Sequence, residues 1–159
     1  MWRVFLFVLV GLFVSACAGN SAEHSDEPLH NAYLRYRQAV LGGSVLAQRA
    51  EIFSPAVLED IDIASEQEVK VLMWGGAVVR EHSHYEKKLA AGRGCLTVNG
   101  YADDAGKPVS LFIEYDGHLV RFQHLDFPDR ARFDGFITKA LCPDEAYEEI
   151  MRRSSASPS

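Results

Sequence analysis

Two histidines one residue apart, His82 and His84, are the side chains in this chain whose type and spacing most directly suggest chemistry. On a strand alternate residues share a face, so both imidazoles would reach one metal ion, with Glu81 or Glu86 as the carboxylate ligand. On a helix the same spacing would turn them far apart. No third ligand stands at motif spacing, and the favoured reading of Arg80 to Lys88 is an exposed polar strand with no metal. A second candidate is His124, which the expected register places on an apolar hairpin face near Tyr115. A neutral imidazole there would need a buried partner and could act as a general base in a pocket. A core histidine with its hydrogen bonds met is the plainer alternative. Arg121 and Glu114 could grip an anion beside Phe112 and Leu119, but an ordinary surface ion pair across two strands is the favoured reading.

The cysteines point to structure. Cys95 and Cys142 form an even pair once Cys17 is set aside, and a disulfide between them would stabilise the fold by roughly 3–4 kcal/mol in the chain-entropy model. A Cys nucleophile served by a histidine is the competing reading. Neither cysteine lies in a hydrolase motif. The chain also lacks a glycine-rich phosphate loop, a Gly-x-Ser-x-Gly elbow, a His-Glu-x-x-His pair and a basic aromatic platform. No cofactor is expected and an enzyme is not the leading reading. The formal charge of −6 argues against non-specific binding to nucleic acid.

The elements that must position these residues begin after a leader. Arg3, the apolar run Val4 to Val14 and the small residues before Cys17 make an export signal, too short to span a bilayer comfortably. Its ending, Val14-Ser15-Ala16-Cys17, resembles the lipobox of bacterial lipoproteins. That resemblance implies cleavage before Cys17, lipidation of its thiol, and stable anchoring by several acyl chains. An ordinary secretory signal or an uncleaved anchor are the alternatives. Ala18, where an Asp commonly retains such proteins at the inner membrane, favours by resemblance the outer membrane, facing the periplasm, if the envelope has two membranes. Residues 17–27 would then be the lipidated Cys and a polar tether, reaching ~30 Å when stretched.

One domain is expected over residues 28–153. Leu29, Tyr33, Tyr36 and Val40 keep helical spacing up to Gly42 and Gly43. A second helix from Ser44 would turn Leu46, Ala50 and Phe53 inward, a short turn after Pro55 would hold Val57, Leu58 and Ile61, and Ser65 with Glu68 has the form of a capping box ahead of Val69, Leu72 and Met73. Strands are expected through about Lys88, from Gly94 to Tyr101, from Val109 to Tyr115 and from His118 to Leu125. Asp116-Gly117 is a hairpin turn that would set Tyr115 opposite His118, Ile113 opposite Val120, Leu111 opposite Phe122 and Val109 opposite His124, with His118 capping the wet end. Phe133, Phe136, Ile137, Ala140 and Leu141 keep helical spacing, Pro143 to Arg153 reads as a last helix, and residues 154–159 as a disordered tail.

Helices followed by an antiparallel meander give an α+β fold, with N-terminal helices on three or four strands and a short C-terminal helical segment. The arrangement from about Pro28 to Phe127 resembles the cystatin-like or NTF2-like cone of small bacterial lipoproteins. The segment after Phe127 departs from the simplest form of that fold. The function expected is a lipid-anchored, non-catalytic binding module of the envelope, with the membrane held through the lipid and an envelope protein as partner. An NTF2-like resemblance would instead imply a small-ligand carrier or pocket enzyme using His124 and Tyr115. A third reading is an inhibitor or immunity protein acting on an envelope-directed toxin.

Overall fold

The computed structural model describes residues 27–156. The leader, the lipidation of Cys17, the tether up to residue 26 and the last three residues lie outside that range. The fold is α+β. A four-stranded antiparallel open sheet runs in the order β1-β2-β3-β4, made of Arg80–Lys88, Arg93–Tyr101, Pro108–Asp116 and Leu119–Asp126. Helices precede it and one follows it.

Helix α1 (Leu29–Leu41) lies on the inner face of the sheet because its apolar stripe has nowhere else to go: Leu29, Ala32, Tyr33, Tyr36 and Ala39 are buried. Pro28 stands just before the first turn. Beyond Gly42 the expected second helix shrinks to four residues, α2 (Arg49–Ile52). Turns occupy the residues before it, which shifts the phase: Val45, Ile52 and Phe53 are buried, whereas Leu46 and Ala50 face water. Helix α3 (Pro55–Asp60) half-buries Val57 and Leu58. In α4 (Glu66–Val71) the Ser65 hydroxyl accepts from the Glu68 amide at 3.3 Å, but the Glu68 carboxylate turns to the Asp62 amide at 2.6 Å. Only half of the expected capping box forms.

The inner face is packed solid. Tyr33, Tyr36, Phe53, Leu72, Leu96, Leu111, Ile113 and Tyr115 are all fully buried, with Phe53 edge-on to Tyr36 at 5.2 Å. Each such side chain contributes about 1.5–3 kcal/mol by leaving water. Where Gly100 pairs with β1 there is no room for a side chain: a Cβ there would run into the Arg80 carbonyl and the Val78 side chain.

The hairpin corrects the expected register. Asp116 pairs with Leu119 and Tyr115 with Val120, so the two-residue turn is Gly117-His118. Arg121 is then an extra residue: Glu114 pairs with Phe122, Ile113 with Gln123 and Phe112 with His124. A bulge of one residue reverses every side chain beyond it. Gln123 and Leu125 therefore face inward. Phe122 and His124, expected inside, face outward.

The outer face is covered by a segment expected to be helical. Arg130–Arg132 forms one 3₁₀ turn, and residues 133 to 142 are irregular. Gly135 has φ 123°, outside any helix, and the backbone finds its partners on β2 instead. Asn99 Nδ2 donates to the Ile137 carbonyl at 2.8 Å, and the Leu141 amide donates to Thr97 Oγ1 at 2.9 Å. Helix α5 (Pro143–Ala156) follows, three residues longer than expected at its end. Glu145 accepts from the Cys142 amide at 2.7 Å, which caps the start of α5. The disulfide between Cys95 and Cys142, Cα atoms 5.1 Å apart, ties the same point to β2.

Candidate functional site

Two places on the surface bring chemically useful groups together. The first is a cleft of about 250 Å³ on the outer face, between the 126–137 segment and α5. Its walls include Phe127, Phe133, Phe136, Ile137 and Ile150, and Asp126, Asp129 and Asp134 are acidic groups around it. The wall is built by packing: Phe133 meets Phe136 edge-on at 4.8 Å, and Phe136 meets Tyr101 at 5.7 Å and His82 at 5.0 Å. Arg153 also borders the cleft, held by Glu149 at 3.0 Å and by the Gly135 carbonyl at 3.2 Å. Its pull and that of Arg152, the larger of the two, bring Glu149 down to about 2. Asp126 is different. Desolvation raises it above the usual carboxylate range and the His124 charge only partly opposes this.

The second place lies at the polar edge of the sheet. Glu81 on β1 accepts hydrogen bonds from His84 Nδ1 at 2.7 Å and from His30 Nε2 at 3.0 Å. The two imidazoles stack, 3.6 Å between centroids and 9° from parallel. A ligand atom from each of the three residues lies within 4.8 Å of the other two. His30 sits in the first turn of α1, and its own amide is held by Glu86 Oε2 at 3.2 Å. Burial pushes the Glu81 carboxyl up, but the hydrogen bonds from His30 and His84 together outweigh it and leave it below its ordinary value.

No protein-family model matches the chain, and no curated protein or solved structure matches it either. What the molecule can do must be read from its own geometry.

The expected pairing of His82 with His84 does not occur. A bulge in β1 sets Glu81 opposite Gly100 and Ser83 opposite Asn99, so His82 is the inserted residue. It turns to the outer face against Tyr101 and Phe136, while His84 stays on the α1 face. Glu81, three residues from His84 and thus opposite it on a regular strand, is brought to the same side. Glu86 also lies on that side, opposite Leu96. His30 was not legible as a partner, because nothing in the sequence says which turn of α1 crosses which residue of β1.

His124 and Tyr115 do not share a pocket. His124 is half-exposed on the outer face, near Phe112 and Tyr147. Tyr115 is fully buried on the inner face, and its hydroxyl, like that of Tyr33, has no hydrogen-bond partner among the described residues. Burial raises both well above the ordinary tyrosine range. A buried hydroxyl without a partner costs about 1–3 kcal/mol. Tyr115→Phe is therefore expected to leave the urea midpoint unchanged or raise it, and a marked loss of stability would reveal a role for the hydroxyl. Arg121 donates to Glu114 at 2.9 Å as a cross-strand ion pair, with Arg93 joining at 3.6 Å. His118 stands in the hairpin turn beside a recess of only about 70 Å³.

Proposed function

We propose that this chain is a lipid-anchored lipoprotein of a bacterial envelope, whose domain binds an envelope protein at the outer-face cleft and catalyses no reaction itself. The observation that carries the binding site is the pairing of an aromatic wall with acidic surroundings. Phe127, Phe133 and Phe136 offer an apolar seat, and Asp126 and Asp129 beside it carry negative charge, while Asp134 is paired with Arg153 at 3.5 Å. The occupant that complements both is a basic polypeptide segment bearing an apolar side chain. Asp126 adds to this, because a poorly solvated carboxylate gains most from an incoming cation.

Support for the anchor comes from the lipobox resemblance and the polar tether. Among the described residues no helix is long and apolar enough to cross a membrane. The disulfide suits an oxidising compartment such as the periplasm. The cystatin-like resemblance rests on the order of helices before an antiparallel meander, and that α+β order is present. The carrier or pocket-enzyme reading needed an open interior lined by His124, and the interior is filled. A toxin as the bound partner would be a special case of the leading reading.

A photo-crosslinking residue at Phe133 of the full chain, activated in intact envelopes, tests the cleft. The expected product is an adduct mapping to a basic, apolar-centred segment of one envelope protein, weakened in an Asp126→Asn, Asp129→Asn variant. Adducts with no envelope protein, or unaffected by those substitutions, would count against it. Cys17→Ser should remove the protein from membrane fractions, and persistence there would indicate an uncleaved anchor.

Asp126 also predicts a pH dependence. Its folded value lies above its unfolded one, so its contribution to stability is present below the unfolded value near 3.9 and is lost as pH rises through the folded one. Asp126→Asn is thus expected to unfold at equal or higher urea concentration at pH 7, with the advantage shrinking toward pH 3. Melting curves at the two pH values check it.

A further inference from the structure

We propose that His30, Glu81 and His84 form a binding site for a divalent transition ion of the zinc class. Two imidazole nitrogens and a carboxylate oxygen are a donor set that such ions favour, and three protein ligands leave a further position for water. The three residues come from separate parts of the chain, yet their ligand atoms lie within 4.8 Å of one another. In regular structure they would not meet. The inserted residue His82 turns Glu81 to the side of His84, and the first turn of α1 lays His30 across both.

The surroundings suit a cation. Glu81 and Glu86 bring two carboxylates to one end of α1, whose dipole opposes a cation with only roughly half a unit charge. The Glu86 carboxylate holds the His30 amide, which fixes the helix start and hence the ring carried next to it. Tyr33 stands beside His30, ring centroids 5.8 Å apart. His30 keeps only 18 % of its side-chain surface exposed, so the site is sheltered, while His84, at 41 %, is open enough for an ion to enter.

Binding replaces the two hydrogen bonds to Glu81 with three coordinate bonds, one from each imidazole and one from the carboxylate. Each neutral ring moves its proton to the nitrogen facing away from Glu81, and the freed lone pair turns to the ion. No net proton is released from neutral rings. Because lone pairs lie in the ring planes, parallel rings cannot both aim at one ion, so the stack must open by rotation about the Cβ–Cγ bond. His84, the more exposed ring, has room to make that turn.

The test is titration of zinc(II) into the full chain, purified in detergent without a histidine tag, by calorimetry, with cobalt(II) absorption as a second probe. One ion per chain is expected, with micromolar or tighter affinity and a cobalt spectrum of low coordination number. His84→Ala and Glu81→Gln should each weaken binding about tenfold or more. His82→Ala, on the opposite face, should leave it unchanged. Absence of binding at a hundred micromolar zinc, or binding that survives His84→Ala, would overturn the assignment. Should His84→Ala fail to fold, loss of the His30 and His84 ring signals' independence from zinc in the unmutated protein decides instead: ring protons that do not shift on zinc addition reject the site.

Discussion

Replacing Cys95 and Cys142 together by alanine is expected to cost the domain about 3–4 kcal/mol. The two residues are separated by 47 positions, and closing a loop of that size removes much freedom from the unfolded chain. The native geometry adds to this. Cys95 is fully buried on β2 and Cys142 stands at the start of α5, where Glu145 both accepts from the Cys142 amide and pairs with Lys87 on β1. The Lys87 hydrogen bond, followed by that of the Cys142 amide, holds Glu145 below its ordinary value. Without the cross-link, α5 stays on the sheet through Ala146 and Ile150 packed with Phe112 and through these polar contacts, of which the exposed ion pair contributes little. Urea unfolding of the double variant against the oxidised protein measures the effect. A difference below about 1 kcal/mol would show that the unfolded chain is already restricted between these points.

Asn99→Ala is expected to cost about 2–4 kcal/mol, far more than the loss of one surface amide. Asn99 is fully buried on the outer face and uses three bonds: Nδ2 to the Ile137 carbonyl at 2.8 Å, Nδ2 to Ser83 Oγ at 3.2 Å, and Oδ1 accepting from Ser110 Oγ at 2.7 Å. Alanine strands the Ile137 carbonyl and the Ser110 hydroxyl, each a buried group costing about 1–3 kcal/mol when unpaired. Ser83→Ala, whose partner side is half-exposed, should cost well under 1 kcal/mol. The Asn99 variant should also open the 133–142 segment, so amides such as Leu141 exchange with deuterium faster while those of β3 stay protected. Equal protection in both regions would mean that packing of Phe112, Ile137 and Leu141 holds the segment without the amide.

Much of the fold was legible because its signals are local. The stripe on α1, the breaks at Gly42 and Pro143, the four strands and the pairing of two cysteines all follow from spacing and residue type. The site was less legible because it depends on single-residue insertions. One extra residue at His82 separates the histidine pair that alternation would join, and one at Arg121 moves His124 from the core to the surface. Neither insertion leaves a mark in the sequence, since no glycine or proline accompanies it. The segment from Phe133 to Leu141 misled for a different reason. Its apolar spacing fits a helix, but Thr97 and Asn99 satisfy its backbone from the sheet, so the apolar residues pack without helical turns.

An open meander ends in two strands whose outer amides and carbonyls are ready to pair with any passing chain. In this molecule both of those strands, β1 and β4, are the ones that carry the inserted residue. Each insertion breaks the even spacing that a recruited strand would need, and β1 adds a row of charge with Arg80, Glu86 and Lys88. β4 is further occupied where Phe53 bridges to Val120. The same irregularities that rearrange the histidines thus discourage sheet-to-sheet fusion between copies, so crowding many such domains together should yield separate molecules instead of fibrils.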